Sequence, residues 1–146
     1  MDLNHGKYLG VDYGDVRTGL AECDASGLIA GRIGTISEGG MKRTAERVAS
    51  EAAVRNCKKI IVGLPKNMDG SEGFRADTVR AFVEILKSLT DIPIDFYDER
   101  MTTMQAYRFL DSTSTFGKKR KDKIDTLSAE IILQNYIERE RTLRKD

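Results

Sequence analysis

Residues 7–36 read KYLGVDYGDVRTGLAECDASGLIAGRIGTI and contain three short runs of strand-forming residues separated by turns. We expect three strands, at residues 7–13, 18–24 and 28–36, because apolar and β-branched residues recur in each run and small or polar residues bound it. The connections, Gly14–Arg17 and Asp24–Gly27, are short, as is typical of hairpins. This stretch therefore predicts an antiparallel three-strand meander at the start of the fold.

The hydrophobic period changes after residue 36. Helical spacing in residues 41–56, and again in the stripe of Val79, Phe82, Val83 and Leu86, alternates with strand-like runs at 58–64 and 92–97. Further helices are expected at 103–111 and from about 124 to 141. This order predicts an α/β fold with a five-stranded mixed sheet, in which parallel strands join the antiparallel meander and helices pack on both faces. Residues 1–146 are expected to form a single domain.

The composition limits the chemistry that this chain can use. With 146 residues, 40% hydrophobic and 32% charged, the chain can form one core without a disulfide. It has no signal-peptide layout and no apolar run long enough to span a bilayer, so we expect a cytoplasmic protein with no membrane contact. Cys23 and Cys57 are isolated and are expected to be reduced. His5 is the only histidine, which leaves carboxylates, lysines or a bound metal to carry chemistry.

Acidic residues stand at the ends of predicted elements. Asp12 ends the first strand within D-x-G-x-x-R-x-G, Asp98 and Glu99 end the last strand, and Asp125 opens the final helix on its apolar stripe. An unpaired charge on such a stripe is costly, and a cation would remove that cost. Hard cations such as Mg²⁺ or Mn²⁺ bind carboxylate oxygens, and two ions about 4 Å apart can promote phosphodiester cleavage. The pattern therefore indicates a divalent-metal site.

Each of these acids also has a simpler interpretation. Asp12 could be a turn residue, the D-E-R run at 98–100 could form a surface ion pair, and Asp125 could be a helix N-cap. The metal site is favoured because the strand order delivers all of them to element ends.

Basic residues provide candidate phosphate contacts, although the net charge is only +1. The segment GKKRKDK at 117–123 concentrates five cations in what we expect to be a mobile loop at 112–121 that meets a polyanion. The alternative is a solvated loop with no ligand. The full set of candidates comprises Arg17, Arg75, Arg100, Lys118, Lys119, Arg120 and Lys121, and arginine can bind phosphate oxygens through its planar fork. For Arg75 a surface role is equally compatible with the sequence.

Four segments resemble the YqgF family, also called the RuvX or Holliday-junction-resolvase-like family. They are VDYGDVRTGLA, VGLPKNMDG, DERMTT and DTLSAEIILQNYI, and the resemblance extends from about Tyr8 to Ile137. It implies a ribonuclease H-like fold related to the RuvC resolvases, and a metal-dependent nuclease proposed to process the 5′ end of precursor 16S ribosomal RNA. The segment from Gly63 to Gly70 would form a loop at the rim of the active site, and a plain connection between a strand and a helix explains it equally well.

The same resemblance implies a set of metal ligands. Carried over residue by residue, the ligands are Asp12, Glu99 and Asp125, with Asp98 as the competing choice for the second position. The resemblance favours structured RNA over DNA as the substrate. Three choices stay open at this point. They are endonuclease or exonuclease action, Mg²⁺ or Mn²⁺ as the metal, and a monomer or a homodimer.

Other functions also fit parts of the sequence. A Holliday-junction resolvase-type DNA endonuclease would use the same acids, whereas a non-catalytic RNA-binding assembly module would have no reason to collect negative charge. D-x-G followed by a hairpin also resembles the phosphate-binding segment of the actin, hexokinase and Hsp70 superfamily. Those proteins close two domains around ATP, and one domain of this length lacks the second.

Overall fold

The structure is a computed structural model that describes residues 6–144 except Asp15, residues 24–29, Glu38, Met68 and residues 99–117. For Arg32, residues 118–127 and Arg144 the description covers the backbone alone. The strands are β1 (Lys7–Asp12), β2 (Thr18–Cys23), β3 (Ala30–Ile36), β4 (Cys57–Leu64) and β5 (Ile94–Asp98). The helices are α1 (Met41–Val54), α2 (Phe74–Leu89) and α3 (Lys118–Arg144).

The strands form one sheet in the order β3-β2-β1-β4-β5. β1 pairs antiparallel with β2, and β2 with β3, whereas β4 is parallel to both β1 and β5. The predicted five-stranded mixed sheet is therefore confirmed, with strand ends that shift by one or two residues. β1 lies at the centre, so its residues contact both halves of the sheet.

The sheet is buried on both faces because strand side chains alternate between them. On one side, here called the α1–α2 face, Leu9, Val11 and Val62 pack with residues of α1 and α2 such as Val48 and Phe82. On the other side, the α3 face, the core consists of strand residues and α3 residues, including Ala21, Ile61, Ala129, Leu133 and Ile137. Helices thus cover both faces, as the sequence predicts.

Gly10 allows α3 to lie directly against the central strand. A Cβ atom at Gly10 would stand 2.8 Å from the Leu133 Cβ and 3.0 Å from the Ala129 carbonyl oxygen. Real side chains do not fit at such distances, so the close approach of helix and strand depends on glycine at this position.

The start of α3 corrects one prediction. We expected a loop at 112–121 and a helix from about 124, but α3 begins at Lys118, so Lys118, Lys119, Arg120 and Lys121 belong to a helix. Lysine and arginine are good helix formers, and they extend the helix beyond the point where an apolar stripe could reveal it. Residues 112–117 and the predicted helix at 103–111 lie outside the described residues.

None of the three helices in the described residues combines the length and the apolar composition that crossing a membrane requires.

Candidate functional site

Asp12 is the last residue of β1, and its side chain is only 6% exposed. Leu9 and Val11 belong to the core of the α1–α2 face, so the alternation of the strand directs Asp12 to the α3 face. Glycines flank it on both neighbouring strands: Gly19 is its direct partner on β2, and Gly63 follows Val62, the β4 partner of Val11. The positions paired directly with Asp12 on both neighbouring strands therefore carry no side chain.

The contacts between β1 and α3 follow a clear direction. The Tyr8 hydroxyl donates to Glu140 Oε1 at 3.0 Å, whereas two residues further along β1 Gly10 lies against Ala129 and Leu133. Contacts thus move towards the start of α3 as β1 approaches Asp12. Position 125 is one turn before Ala129 and seven residues inside α3, so the prediction that Asp125 opens this helix, or caps it, is wrong.

Asp98 ends β5 at the same edge of the sheet as Asp12 but on the opposite face. It pairs with Leu64, whose side chain is in the core of the α1–α2 face, and its Oδ2 lies 4.0 Å from Lys66 Nζ. The preceding residue, Tyr97, packs on the α3 face. Glu99 and Arg100 lie outside the described residues.

Ser128 is a buried residue that sequence reasoning missed. It is 1% exposed, and its Oγ has no hydrogen-bond partner in the described part of the chain. Eleven residues, about three helical turns, separate it from Arg139, whose guanidinium lies over the Tyr97 ring of β5 at 5.8 Å. Ser128 is thus on the flank of α3 that faces β5. The one signal in the sequence is its spacing of three residues from Asp125.

The loop after β4 is ordered by its own hydrogen bonds. The Asn67 and Ser71 main chains bond at 2.9 Å, and the Ser71 amide and hydroxyl both donate to Asp69 Oδ1, at 2.9 and 2.6 Å. Gly70 has φ of 89°, a left-handed conformation that suits glycine. Because the loop starts at Pro65, directly after Leu64, it lies at the same sheet edge as Asp12.

The candidate phosphate contacts are spread along this edge. Arg17 is half-buried just before β2, and Arg75 is exposed in the first turn of α2. Arg75 lines a groove of about 370 Å³ between that helix and the loop after β4, together with Lys66, Asn67 and Phe74. The four basic residues at 118–121 occupy the first turn of α3.

Within the described residues, no three His, Cys, Asp or Glu side chains cluster closely enough to hold a metal ion. Two of the three predicted ligands, Glu99 and the Asp125 side chain, lie outside that description. The structure therefore places Asp12 and the element ends around it and leaves the complete ligand set as a prediction.

At the other end of β1, a polar cluster joins three strands to α3. Lys59 Nζ donates to the Tyr136 hydroxyl at 2.7 Å, and that hydroxyl donates to Asp95 Oδ2 at 2.8 Å. Burial and then the hydrogen bond to Glu140 raise the pKa of Tyr8 to about 12, and burial followed by the hydrogen bond to Asp95 raises the pKa of Tyr136. These bonds fix α3 relative to β1, β4 and β5.

The sequence is similar to one family profile and to named proteins of other organisms. Residues 6–139 match the sequence profile of the RuvX family, described as Holliday junction resolvase. A protein of Thermoanaerobacter pseudethanolicus named "Putative pre-16S rRNA nuclease" is 42% identical over 133 residues, which is 90% of this chain and 96% of that protein. A protein of the same name from Ruegeria sp. is 39% identical over 136 residues, covering 93% and 87% of the two chains.

Among solved structures, Thermus thermophilus RuvC is similar in fold. Its complex with a Holliday junction substrate superposes with a TM-score of 0.59 at 12% identity and covers 94% of this chain and 97% of RuvC. A second structure of Thermus thermophilus RuvC gives a TM-score of 0.54 at 13% identity, covering 93% of this chain and 96% of that chain. This likeness confirms the ribonuclease H-like fold that the sequence predicts.

Proposed function

Because the chain belongs to the RuvX family, we propose that it is a metal-dependent nuclease that processes the 5′ end of precursor 16S ribosomal RNA in the cytoplasm. The names of its relatives support a nuclease that acts on nucleic acid. One observation carries the mechanism: a buried carboxylate, Asp12, at the end of the central strand, with glycines on both neighbouring strands.

Asp125 is proposed as the second ligand from the register of α3 on β1. Two strand residues advance about 6.6 Å, which corresponds to about four residues of an α-helix. Tyr8 contacts the Tyr136–Glu140 turn through its hydroxyl and ring, and the Gly10 backbone contacts the Ala129–Leu133 turn, seven residues earlier. A further step from Gly10 to Asp12, of about four residues or of the seven seen for the long Tyr8 side chain, leads to the turn that contains position 125.

Glu99 is proposed as the third ligand from the alternation of β5. Tyr97 is on the α3 face with Asp12, and Asp98 is on the other face beside Lys66. If the extended chain continues for one more residue, position 99 returns to the α3 face. This argument favours Glu99 over Asp98.

The residues at this edge fit a hard divalent cation such as Mg²⁺ or Mn²⁺. Carboxylate oxygens are the ligands that these ions prefer, and glycine at both positions paired with Asp12 adds no side chain there that would compete with them. The Ser128 hydroxyl, on the flank that faces β5 and with no hydrogen-bond partner in the described part of the chain, can donate to a ligand carboxylate or a bound water. When bound, the metal would supply Lewis-acid activation of water and of the scissile phosphate.

The remaining contribution of the chain is to hold the polyanion. Arg17, Arg75 and Arg100 are proposed to bind backbone phosphates, as are the four cations at 118–121. The latter occupy the first turn of α3, where the positive end of the helix dipole adds to their attraction for phosphate.

The test is cleavage by Asp12→Asn protein, because this near-isosteric change removes the charge and keeps the shape. We expect the cleavage rate to fall by orders of magnitude with Mg²⁺ or Mn²⁺, with the melting curve still cooperative. Asp91→Asn is the matched control, since Asp91 is exposed in the turn before β5, at the opposite edge of the sheet. Wild-type rates in folded Asp12→Asn protein would falsify the mechanism.

The substrate is decided in the same assay by three arms. Precursor 16S RNA, single-stranded RNA and four-way DNA junctions are compared at equal concentration. Preferred cleavage of the precursor RNA is expected, and preferred cleavage of the DNA junction would replace our proposal with a resolvase.

A further inference from the structure

Phe74 is the most exposed large hydrophobic side chain among the described residues, at 80%. It is the first residue of α2 and lies off the buried stripe of that helix, which contains Val79, Phe82, Val83 and Leu86. Packing within the chain therefore makes little use of this ring. A single exposed hydrophobic residue needs no explanation in itself, so a role for this ring depends on the groups around it.

The groove beside Phe74 combines apolar, polar and charged groups. The ring borders the groove of about 370 Å³ that Lys66, Asn67 and Arg75 also line, here called the Phe74 groove. An aromatic face for a base, the exposed Arg75 for phosphate and an amide for base-edge hydrogen bonds form a combination typical of single-stranded nucleic-acid sites. Lys66 adds less positive charge, because its Nζ lies 4.0 Å from Asp98 Oδ2.

Hydrogen bonds join the described residues at the rim of the Phe74 groove to each other and to α2. Besides the bonds within the loop, Glu72 forms a bidentate pair with Arg80, at 2.7 Å to Nε and 2.8 Å to Nη2, which joins the loop to α2. The Asn67 amide also donates to Ser71 Oγ at 3.0 Å. A ligand that enters the groove would therefore lose little affinity to the ordering of its walls.

The Phe74 groove opens at the edge that carries Asp12. Tyr13, the residue after Asp12, stacks on Phe82 with ring centroids 4.3 Å apart and shares a small hollow with Phe74 and Arg75. The groove is on the α1–α2 side and the Asp12 carboxylate on the α3 side. A strand of nucleic acid that crosses this edge could contact both.

We propose that the Phe74 groove binds an unpaired base of the substrate, stacked on Phe74, from a nucleotide close to the one whose phosphodiester is cleaved. This inference rests on the proposed nuclease function and narrows its substrate class to nucleic acid with an unpaired nucleotide beside the cleavage site. In a continuous duplex the bases are stacked on each other, and none can turn onto the ring without a cost of unpairing.

The experiment measures binding of a fluorescent single-stranded oligonucleotide and of the same sequence as a duplex, in the uncleaving Asp12→Asn background. Phe74→Ala should weaken single-strand binding by roughly tenfold or more, the effect expected for loss of one base–aromatic stack, whereas Phe74→Trp should retain it. Duplex binding should change little. Leu143→Ala is the matched control, because Leu143 is 66% exposed near the far end of α3.

A series of oligonucleotides with one abasic position each identifies the stacked base. An abasic site at one position should weaken binding to Asp12→Asn protein. The same abasic site should cause no further loss of affinity in protein that also carries Phe74→Ala. Equal affinities with and without Phe74→Ala would overturn the proposal, as would an abasic penalty that persists without the ring. A change in self-association alone would assign Phe74 to a protein contact and would also overturn it.

The two proposals fail in different ways. If protein with an intact Asp12 cleaves its substrate, and Phe74→Ala cleaves with an unchanged KM, the nuclease stands and the base site falls. If Phe74 binds single strands and no metal supports cleavage, the base site stands as a binding function and the nuclease falls.

Discussion

At the scale of single residues, Asp12 and Asp98 show that an acid at the end of a strand can lie on either face of the sheet. Asp12 is the last residue of β1 and Asp98 the last residue of β5, so both lie at the same end of the sheet. The alternation of side chains along the two strands nevertheless places them on opposite faces. Sequence reasoning could not separate Asp98 from Glu99, because it placed the strand at 92–97 and the structure places it at Ile94–Asp98. In the sequence both acids follow the same strand-like run, and the pairing of Asp98 with Leu64 is what places Asp98 on the α1–α2 face.

Substitution of these two neighbours tests that argument. Glu99→Gln should reduce cleavage and the apparent affinity for Mg²⁺ by more than the ~10–100-fold that loss of an outer-sphere partner costs. Asp98→Asn should stay within a few-fold of wild type, since Asp98 is on the face opposite Asp12 and its partly exposed pair with Lys66 is worth at most about 1 kcal/mol. Cleavage rates of both variants are measured across a metal titration. A larger loss for Asp98→Asn than for Glu99→Gln would mean that the alternation of β5 ends at Asp98.

At the scale of elements, the contact between β1 and α3 determines where the start of α3 lies. The strands were predictable because their turns and alternation are local properties of the chain. The start of α3 was not, because the helical turns around Lys118 carry no apolar stripe. Likewise, no local pattern could bring Lys59, Asp95 and Tyr136 together, since their contact depends on the order of strands in the sheet.

Gly10→Ala tests the contact between these elements. The added methyl group would meet Leu133 Cβ and the Ala129 carbonyl oxygen, so α3 must move, and such overpacking costs about 1–3 kcal/mol of unfolding free energy. Gly31→Ala is the matched control, because its Cβ would stand 3.9 Å from the Glu22 carbonyl oxygen, an ordinary contact. Urea unfolding measures both variants, and equal stability of the two would show that α3 does not press on Gly10.

At the scale of the whole molecule, the two ends of β1 have different tasks. One end carries Asp12, and the other is tied to α3 by the tyrosines and their carboxylate partners. The tie is a stability feature with its own pH range. Its raised tyrosine pKa values mean that the folded protein holds these protons more tightly than the unfolded chain does.

The stability of the protein should therefore fall in alkali. A tyrosine pKa near 10 when unfolded and of about 12 for folded Tyr8 gives a contribution that is complete below about pH 10 and is lost as the pH rises towards 12. Tyr8→Phe should be less stable at pH 8, because the bond to Glu140 is lost, but should decline less steeply above pH 10. Urea unfolding at a series of pH values measures this, and parallel curves for the two proteins would contradict it.

The central place of β1 also has a consequence for the order of events during folding. The meander β1–β2–β3 joins neighbours along the chain, whereas the parallel pairing of β1 with β4 must close the segment that contains β2, β3 and α1. Such non-local pairing forms slowly compared with hairpins and helices. The ends of β1, β4 and β5 and the start of α3 meet only after that closure. Catalytic competence should therefore be among the last properties that a refolding chain regains, well after its helical signal has returned.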